Sequence, residues 1–498
     1  MKSGFYDGPT SQALDELARD GIPIAGFDLM QRAAEAALTV IIEQFPSASR
    51  LIVICGKGNN GGDGYLIAAR AIERGLRATA VALVDPLKLT GDAALAHQAA
   101  QDAGVVIRDS VGSFEGYDVI VDAMLGTGFS GEPRDFVAEA ITAINSSSLP
   151  VVAVDLPSGV SASTGAANLA VRAHHTVTFI SRKVGTFTGP GRALSGMVHF
   201  CDLGVPEHLY STACLTPCYW HPNRLPALDS GAYKHQLGSV LVAGGDLGMP
   251  GAAAMAAEAA LRVGAGMVTV ATHREHAHAL LTRLPEAMTV NPEGSDFEAS
   301  IENYDLVVLG PGLGREAWGE NLFRAIERSG RPVVLDADGL WWLAEVDSWQ
   351  GGPLWMTPHA AEAARLLDQV VAELESDRVT AAATLADRFA GRVNLKGPGS
   401  IVHCRGRAQL CIHGNPGMAT AGMGDVLSGI VGGILSGGYR QGASDDVLDD
   451  LFSAAIALHS RAGDRAAQVH GMRSLVATDV VRALPETICE TGETNADV

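Results

Sequence analysis

Short apolar runs alternate with helical segments through roughly the first 180 residues, and this alternation limits the fold more than any other feature of the chain. The runs are rich in valine and isoleucine and are bounded by turn residues, which is typical of fully buried strands. They lie at residues 52–55, 78–84, 105–107, 119–121, 151–154 and 176–180. Buried strands that alternate with helices, such as 93–103 and 136–145, predict a doubly wound parallel α/β sheet.

Polar residues stand where three of these strands end. The residues are Asn59 and Asn60 after the first strand, Asp122, Gly126, Thr127 and Gly128 after the fourth, and Asp155 and Ser158 after the fifth. Because ligands collect at the carboxyl ends of parallel strands, we expect one pocket to contain all of them. The loop at 56–64, before a helix predicted at 66–74, has phosphate-binding character but is not GxGxxG. Its asparagine oxygens suit a cation as well as a substrate hydroxyl.

A second α/β unit begins near Lys234, after a proline-containing stretch at 201–227 that has no periodicity and is predicted to be a linker. Further strands are predicted at 238–243, 267–271, 306–309 and 333–335. A chain of 498 residues is too long for a single core, and about two to three domains is the expectation. We place the domains at residues 1–225 and 226–498.

The stretch from Asn415 to Asp425 places a carboxylate after a glycine-rich turn and before an apolar helix that starts at Val426. Glycines let successive backbone N–H groups face one concavity, and the helix dipole adds positive charge, so an anion is stabilised there. Asp425 can then take a proton from a hydroxyl while the N–H groups of residues 422–424 hold a phosphoryl group. The alternative is an ordinary glycine-rich loop that caps a core helix.

Composition excludes several classes of partner. The formal charge of -20 argues against a nucleic-acid or anionic-membrane surface. The first residues lack the apolar core of a signal peptide, and the small-residue stretches are interrupted by polar residues, so we expect a soluble protein. Seven scattered cysteines favour reduced thiols and a cytoplasmic location over a disulfide framework or a zinc site.

Motifs in both halves resemble a known family over nearly the whole chain. The first half resembles the NAD(P)H-hydrate epimerase domain, with motifs at 28–34, 58–64, 122–128 and 155–160. The second half resembles the ribokinase-like NAD(P)H-hydrate dehydratase, with motifs at 310–314, 336–338, 357–359, 395–397 and 422–427. Together they resemble the bifunctional NAD(P)H-hydrate repair enzymes. The departures from the family pattern are Asp246, Ala253, Ala360 and Ala361.

The resemblance implies an N-terminal Rossmann-like fold, a C-terminal ribokinase-like fold and the repair of hydrated NADH and NADPH, abbreviated NADHX and NADPHX. The first domain would equilibrate the R and S hydrates. The second would phosphorylate the hydroxyl of the S hydrate with ADP or ATP and magnesium, and then eliminate phosphate. ADP is the expected donor, because fused chains of this kind resemble the bacterial, ADP-using members.

The resemblance also implies the site residues of each domain. The catalytic residues would be Asp155 and Asp425. Hydrate contacts in the first domain would be Asn59, Asn60, Gly61, Gly62, Asp63, Gly126, Thr127, Gly128, Phe129, Ser130, Gly131, Glu132 and Asp155. A potassium ion would be held by Asn60, Asp122 and Ser158. In the second domain Ala252, Gly312, His359 and Asp425 would contact the hydrate, and Lys396, Gly397, Pro398, Gly399, Ser400 and Gly424 the nucleotide.

Some roles stay open at this point. His359 could be merely a helix-capping residue after Pro358, with no contact to a ligand. Asp155 could be merely a buried residue that caps the next loop through Ser158. Lys183 either pairs with a substrate phosphate or lies on the solvated surface. Whether Asp122 binds an ion or caps a turn is also open.

Two other functions are compatible with the sequence. The chain could be a small-molecule kinase whose first domain senses a nucleotide, or that domain could be a noncatalytic module that binds partners or RNA-linked nucleotides. We expect small-molecule substrates, no nucleic acid, no membrane and a homo-oligomer, with a tetramer as one candidate.

Overall fold

The computed structural model describes residues 4–21, 26–210, 214–219, 231 and 233–490. The chain divides into two compact units: the first contains residues up to Thr216 and also Glu375–Asp377, and the second contains Pro217–Leu374 and continues from Arg378. The predicted domain boundary between residues 225 and 226 lies outside the described residues and stays a prediction. Within the described part of the chain, no helix is long and apolar enough to span a bilayer.

The first unit contains a seven-stranded sheet in which every neighbouring pair is parallel. Its strand order is β4-β3-β2-β5-β6-β7-β9. The strands of this unit are β1 (Phe5–Tyr6), β2 (Arg50–Cys55), β3 (Arg77–Ala82), β4 (Val106–Arg108), β5 (Val119–Ala123), β6 (Val151–Val154), β7 (His175–Phe179), β8 (Arg182–Lys183) and β9 (Met197–Cys201). The central strands β5 and β6 are buried along their whole length, as their apolar runs predict.

The helices of the first unit flank this sheet. They are α1 (Gly8–Gly21), α2 (Gly26–Gln44), α3 (Asn59–Glu73), α4 (Gly91–Asp102), α5 (Asp135–Ser146) and α6 (Gly189–Ser195). The predicted start of α3 at residue 66 is wrong, because the helix already begins at Asn59. Two of its early glycines are needed for packing: a Cβ at Gly61 would overlap the Gly56 backbone, and one at Gly62 would lie 2.7 Å from the Met30 side chain.

The second unit contains a ten-stranded sheet with the order β10-β19-β18-β17-β16-β15-β14-β11-β12-β13. The strands are β10 (Thr216–Pro217), β11 (Ser239–Ala243), β12 (Met267–Ala271), β13 (Met288–Val290), β14 (Leu306–Leu309), β15 (Val333–Leu335), β16 (Leu354–Met356), β17 (Arg392–Leu395), β18 (Ser400–Cys404) and β19 (Arg407–Cys411). Across the sheet, β13, β12, β11, β14, β15, β16 and β17 each pair in parallel with their neighbours in this order. The pairs β17–β18 and β18–β19 are antiparallel. The sequence analysis did not predict the β18–β19 hairpin, so the doubly wound sheet carries an unexpected antiparallel edge.

Helices cover the second sheet, and the longest of them follow the glycine-rich turn. They are α7 (Pro250–Arg262), α8 (Ala277–Arg283), α9 (Phe297–Ser300), α10 (Ala317–Ser329), α11 (Asp338–Leu343), α12 (Ala360–Leu367), α13 (Val371–Ser376), α14 (Arg378–Arg388), α15 (Met423–Arg440), α16 (Asp445–His470) and α17 (Ala477–Cys489). Helix α15 is buried along most of its length. Its glycines allow a close approach to α7, because a Cβ at Gly429 would overlap the Ala256 backbone and one at Gly433 would lie 2.7 Å from the Ala260 carbonyl oxygen.

Because of this close approach, a glycine-to-alanine substitution in α15 is expected to lower stability, although the same substitution usually stabilises a helix. Alanine is normally about 1 kcal/mol more favourable than glycine inside a helix, but Gly429→Ala should destabilise the second unit by about 1–3 kcal/mol because the new methyl group overpacks the α7 contact. The measurement is the midpoint of thermal unfolding by calorimetry. Gly437→Ala is the control: its nearest neighbour would be Leu237, at 3.5 Å, so its midpoint should stay the same or rise. An equal response of both variants would contradict the packing account.

Candidate functional site

A cavity of about 650 Å³ lies at the carboxyl ends of the strands in the first unit. Helices α1, α2 and α3 and the loops after β5, β6 and β7 supply its walls. The polar and charged residues that line it include Gln12, Asp15, Glu16, Arg19, Lys57, Asn59, Asn60, Asp63, Asp92, Thr127, Ser130, Asp155 and Lys183. A pocket is therefore present at this edge of the sheet, and it is large enough for a substantial part of a dinucleotide. Asp122 and Ser158, which were expected in the same pocket, are not among the residues that line it.

Asp155 and Lys183 form a buried ion pair in this cavity. The lysine side chain is only 1% exposed and also donates to the backbone carbonyl of Phe179, at 2.8 Å. Asp155 adopts a positive φ of 68°, which is uncommon for a residue with a side chain and holds the carboxylate at the strand end. The surface interpretation of Lys183 is wrong, and its described partner is the proposed catalytic carboxylate.

Two of the other carboxyl groups that line this cavity have raised pKa values. Burial raises the pKa of Asp15 to about 7, and the negative charge of Asp155 adds to the rise while Lys183 opposes it. Burial also raises the pKa of Asp63 well above its usual range, with contributions from Asp155 and Asp15. Near neutral pH the cavity therefore contains carboxyl groups that can hold a proton.

Of the three residues expected to bind potassium, Asn60 lines the cavity, whereas Asp122 and Ser158 do not. The Ser158 hydroxyl donates to Asp122 Oδ1, at 2.6 Å, and the Ser158 amide donates to Asp122 Oδ2, at 2.8 Å. Asn60 Nδ2 donates to the backbone carbonyl of Leu125, at 2.9 Å, while Asn60 Oδ1 is buried without a hydrogen-bond partner. Burial raises the pKa of Asp122 to about 6, although its bonds with Ser158 oppose the shift. Asn60 is linked to this pair through Leu125, whose amide donates to the Ser158 hydroxyl, at 2.9 Å, and its unpaired buried oxygen fits a hard cation.

The structure separates the residues predicted to contact the hydrate into two groups. Lining the cavity are Asn59, Asn60, Asp63, Gly126, Thr127, Gly128, Phe129, Ser130 and Asp155. Gly61, Gly62, Gly131 and Glu132 are not among the residues that line it. The first two are buried in the α3 packing, and Glu132 accepts a hydrogen bond from Asn168, at 2.8 Å. The sequence analysis missed Asp15, Glu16 and Arg19, whose only sequence signal was their position on one amphipathic helix.

In the second unit, the glycine-rich turn forms the beginning of helix α15. Gly422 has a positive φ of 88° and precedes the first helical residue, Met423, so Gly424 and Asp425 lie in the first turn. The expected helix start at Val426 is thus three residues late. Backbone N–H groups of a first helical turn have no intrahelical acceptor, so this turn can bind an anion, as predicted.

A buried ion pair lies directly against this turn. Lys396 Nζ is 2.6 Å from Asp336 Oδ1, and the Ser428 hydroxyl donates to Asp336 Oδ2, at 2.7 Å. A Cβ at Gly424 would lie 3.1 Å from Asp336 Oδ2 and 3.3 Å from Lys396 Nζ, so only glycine leaves this space open. The sequence analysis named Lys396 and the Asp336 motif but did not predict that the two residues pair.

Ionisable groups near the turn have shifted pKa values. Burial raises the pKa of Asp425 to about 7, and the Asp336 charge raises it further while Lys396 lowers it. Burial also raises the pKa of Glu362 to about 7, against the effect of Lys396. Burial lowers the pKa of Lys396, but the Asp336 and Glu362 charges outweigh it and the net shift is upward. Asp425 is therefore suited to take up a proton near neutral pH.

The predicted nucleotide loop continues from this lysine. Gly397 and Gly399 have positive φ values of 151° and 65°, conformations that favour glycine. The buried side chain of Arg378 donates to the carbonyls of Leu395, at 3.1 Å, and Lys396, at 3.0 Å. The Arg378 guanidinium group therefore stabilises the start of this loop. Pro398, Ser400 and Gly424 complete the predicted set, and the Ser400 hydroxyl donates to the Gly397 carbonyl, at 3.3 Å.

The remaining hydrate residues lie around the ends of β11, β14 and β16. A Cβ at Gly312 would lie 3.2 Å from the Ala252 side chain, so these two residues are adjacent. His359 caps helix α12, and its Nδ1 accepts from the amides of Ala361, at 3.1 Å, and Glu362, at 3.2 Å. The capping role considered for His359 is thus present, yet its side chain remains 55% exposed and able to contact a ligand.

Comparisons with known proteins agree with this geometry. The family model described as NAD(P)H-hydrate dehydratase matches residues 240–486, and the model described as YjeF-related protein N-terminus matches residues 26–185. The bifunctional NAD(P)H-hydrate repair enzyme Nnr of Escherichia coli (strain K12) is 40% identical over 483 residues, which cover 95% of this chain and 91% of the relative. The enzyme of the same name from Coxiella burnetii is 40% identical over 486 residues, covering 96% and 97%.

A solved structure of a hypothetical protein from Streptococcus mutans superposes with a TM-score of 0.50 at 26% identity. It covers 55% of this chain and 97% of its own. The predicted fold class, a Rossmann-like first domain and a ribokinase-like second domain, is confirmed, and so is the predicted repair function. The chain therefore belongs to the family of bifunctional NAD(P)H-hydrate repair enzymes.

Proposed function

We propose that the two units catalyse consecutive steps in the repair of NADHX and NADPHX. The first unit equilibrates the R and S hydrates, and the second dehydrates the S hydrate at the expense of ADP or ATP with magnesium. The observation that carries this proposal is the position of Asp425, in the first turn of α15 beside the Lys396–Asp336 ion pair. A proton acceptor, amide donors and an ammonium group there serve phosphoryl transfer to a hydroxyl.

The dehydratase reaction follows from these groups. Asp425 takes the proton of the ring hydroxyl while the hydroxyl oxygen attacks the terminal phosphorus of the nucleotide. The bond between this phosphorus and the departing AMP or ADP breaks. The amides of residues 422–424 stabilise the charge on the phosphoryl oxygens. Phosphate then leaves with the C–O electron pair, and loss of a ring C–H proton restores the dihydropyridine. Phosphorylation thus turns a poor leaving group into a good one.

The epimerase reaction uses the carboxyl groups of the first cavity. A carboxyl group that holds a proton near neutral pH, as Asp15 does, can protonate the departing hydroxyl. Asp155, which is paired with Lys183, can stabilise the cationic ring that remains. Water then adds from either face and returns the proton, so both epimers form.

Potassium would be held by Asn60, Asp122 and Ser158. It would supply positive charge to the buried Asp122 carboxylate and a partner to the Asn60 oxygen, and so fix the first turn of α3 against the loop after β5.

The choice of ADP, a homo-oligomeric state and a cytoplasmic location stay predictions.

Separate sites predict separable activities. Asp425→Asn should reduce nucleotide-dependent dehydration by about 10²- to 10⁴-fold, because the proton acceptor is lost, and should leave R/S equilibration unchanged. Absorbance of the dihydronicotinamide and the epimer ratio by chromatography measure the two activities. Asp446→Asn removes a carboxylate that is 80% exposed and should retain both. Loss of both activities in folded Asp425→Asn would refute the two-site model.

The pKa of Asp425 predicts the pH dependence of dehydration. Because the ionised form accepts the proton, kcat/KM should rise with pH up to about 7 and then level off. Lys396 lowers this pKa, so Lys396→Met should move the rise to higher pH. The same variant should weaken nucleotide binding by about ten- to a hundredfold, through loss of a charge-assisted contact. A folded variant with an unchanged pH profile and unchanged ADP and ATP affinity by calorimetry would contradict both roles of Lys396.

The potassium site predicts a specific ion response in the first unit. Potassium, compared with a large organic cation, should raise both the thermal midpoint and the epimerisation rate of the wild-type protein. Asp122→Ala should abolish both responses, while dehydration of the S hydrate survives. If Asp122 only caps a turn, the variant would be less stable but would respond to ions like the wild type. A wild type indifferent to potassium would exclude a functional ion.

A further inference from the structure

A second cavity in the dehydratase unit has two arginines and a tryptophan in its walls. It measures about 240 Å³. We call it the arginine–tryptophan cavity, and it is lined by Arg315, Ala337, Leu340, Trp341, His359, Ala361, Glu362 and Arg365. The residues predicted to bind hydrate or nucleotide include only His359 from this set.

Trp341 provides an anchored aromatic surface for the cavity. Its ring meets the ring of Trp342 edge to face, with the centroids 4.8 Å apart. Trp342 is itself buried, and its indole N–H donates to the carbonyl of Gly314, at 3.0 Å. The guanidinium carbons of Arg315 and Arg365 lie 5.5 and 4.9 Å from the Trp341 centroid, within cation–π range.

Each arginine is held by one carboxylate and retains further donors. Arg315 Nε donates to Asp338 Oδ1, at 2.9 Å, and Arg365 pairs with Glu345 through one terminal nitrogen. A guanidinium group carries five N–H donors. Among the described residues, no hydrogen bond uses the terminal nitrogens of Arg315 or the Nε of Arg365. Guanidinium N–H donors of this kind can bind phosphate oxygens.

The cavity presents two guanidinium groups in a strongly acidic chain. Its charged lining groups are Arg315, Arg365 and Glu362, and Asp338 and Glu345 pair with the two arginines, whereas the whole chain carries a formal charge of -20. Burial raises the pKa of Glu362 to about 7, so its negative charge is incomplete at neutral pH. Burial and the Lys396 charge lower the pKa of His359, which is therefore mostly neutral. Any attraction for an anion at this point therefore comes from the guanidinium N–H donors that the paired carboxylates leave unused.

The cavity adjoins the site of phosphoryl transfer. Glu362 lines it, and its Oε2 lies 3.8 Å from Lys396 Nζ, which pairs with Asp336 beside the α15 turn. A molecule with its hydroxyl at Asp425 can therefore extend past Glu362 into the cavity. We propose that the arginine–tryptophan cavity binds a phosphate group of the hydrated dinucleotide, with Arg315 and Arg365 as donors and Trp341 as an apolar wall. This subsite rests on the proposed dehydratase function and adds an affinity determinant to it.

The test compares the single variants Arg315→Gln and Arg365→Gln with a matched control. Arg328→Gln neutralises an exposed, ion-paired arginine of the same unit outside the cavity. Steady-state kcat and KM are measured for the S forms of NADHX and NADPHX and for ADP, with thermal midpoints as a check on folding. Each cavity variant should raise the KM for hydrate about tenfold. The kcat should change little, because the cavity binds a part of the substrate that does not react.

The two hydrates identify which phosphate is bound. Equal increases in KM for NADHX and NADPHX support the proposal and assign the pyrophosphate, whereas an increase for NADPHX alone supports it and assigns the 2′-phosphate. An increase confined to the KM for ADP overturns it, because the cavity then serves the phosphate donor. Unchanged KM values, or a fall in kcat alone, also overturn it. Absence of dehydration by the wild type would instead refute the proposed function itself.

Discussion

The dehydratase centre depends on the ion pair between Lys396 and Asp336. Asp336 is fully buried at the end of β15, so its charge would be costly without the ammonium group and the Ser428 hydroxyl. The pair joins the ends of β17 and β15, and Asp336 also accepts from Ser428 of α15, so the pair sets the surroundings of Asp425. The two charges act on Asp425 in opposite directions, and with burial they bring its pKa to about 7, where a carboxylate works well as a base.

Both units place a lysine against a carboxylate at the end of a parallel strand. In the first unit the pair is Lys183 and Asp155, and in the second it is Lys396 and Asp336. Positive φ values occur at Asp155 and at Ala337, directly after Asp336. Such backbone strain is retained where the surrounding structure holds it, and it often marks functional sites. The same topology thus supports two reactions whose charge develops differently: a cationic ring in one unit and phosphoryl oxygens in the other.

The sequence predicted the two α/β units and most strand-end residues because burial and local turn chemistry determine them. It missed what depends on contacts between distant segments. The presence of Asp15 in the first cavity and the Lys183–Asp155 pair bring together residues far apart in the chain, whereas the missed β18–β19 hairpin is local, with only Arg405 and Gly406 between its strands. The glycines of the 58–64 motif were interpreted as ligand-binding, yet Gly61 is required by packing against the Gly56 backbone and Gly62 lies close to the Met30 side chain.

The most direct test of the account follows pure R hydrate after addition of ADP, with R hydrate, S hydrate, dihydronicotinamide and phosphate quantified together. If two sites act in sequence, S hydrate appears first, dihydronicotinamide absorbance follows, and one phosphate is released for each dihydronicotinamide restored. A phosphorylated hydrate that accumulates without recovery of the absorbance, or dihydronicotinamide that forms from R hydrate with no S hydrate ever present, would contradict it.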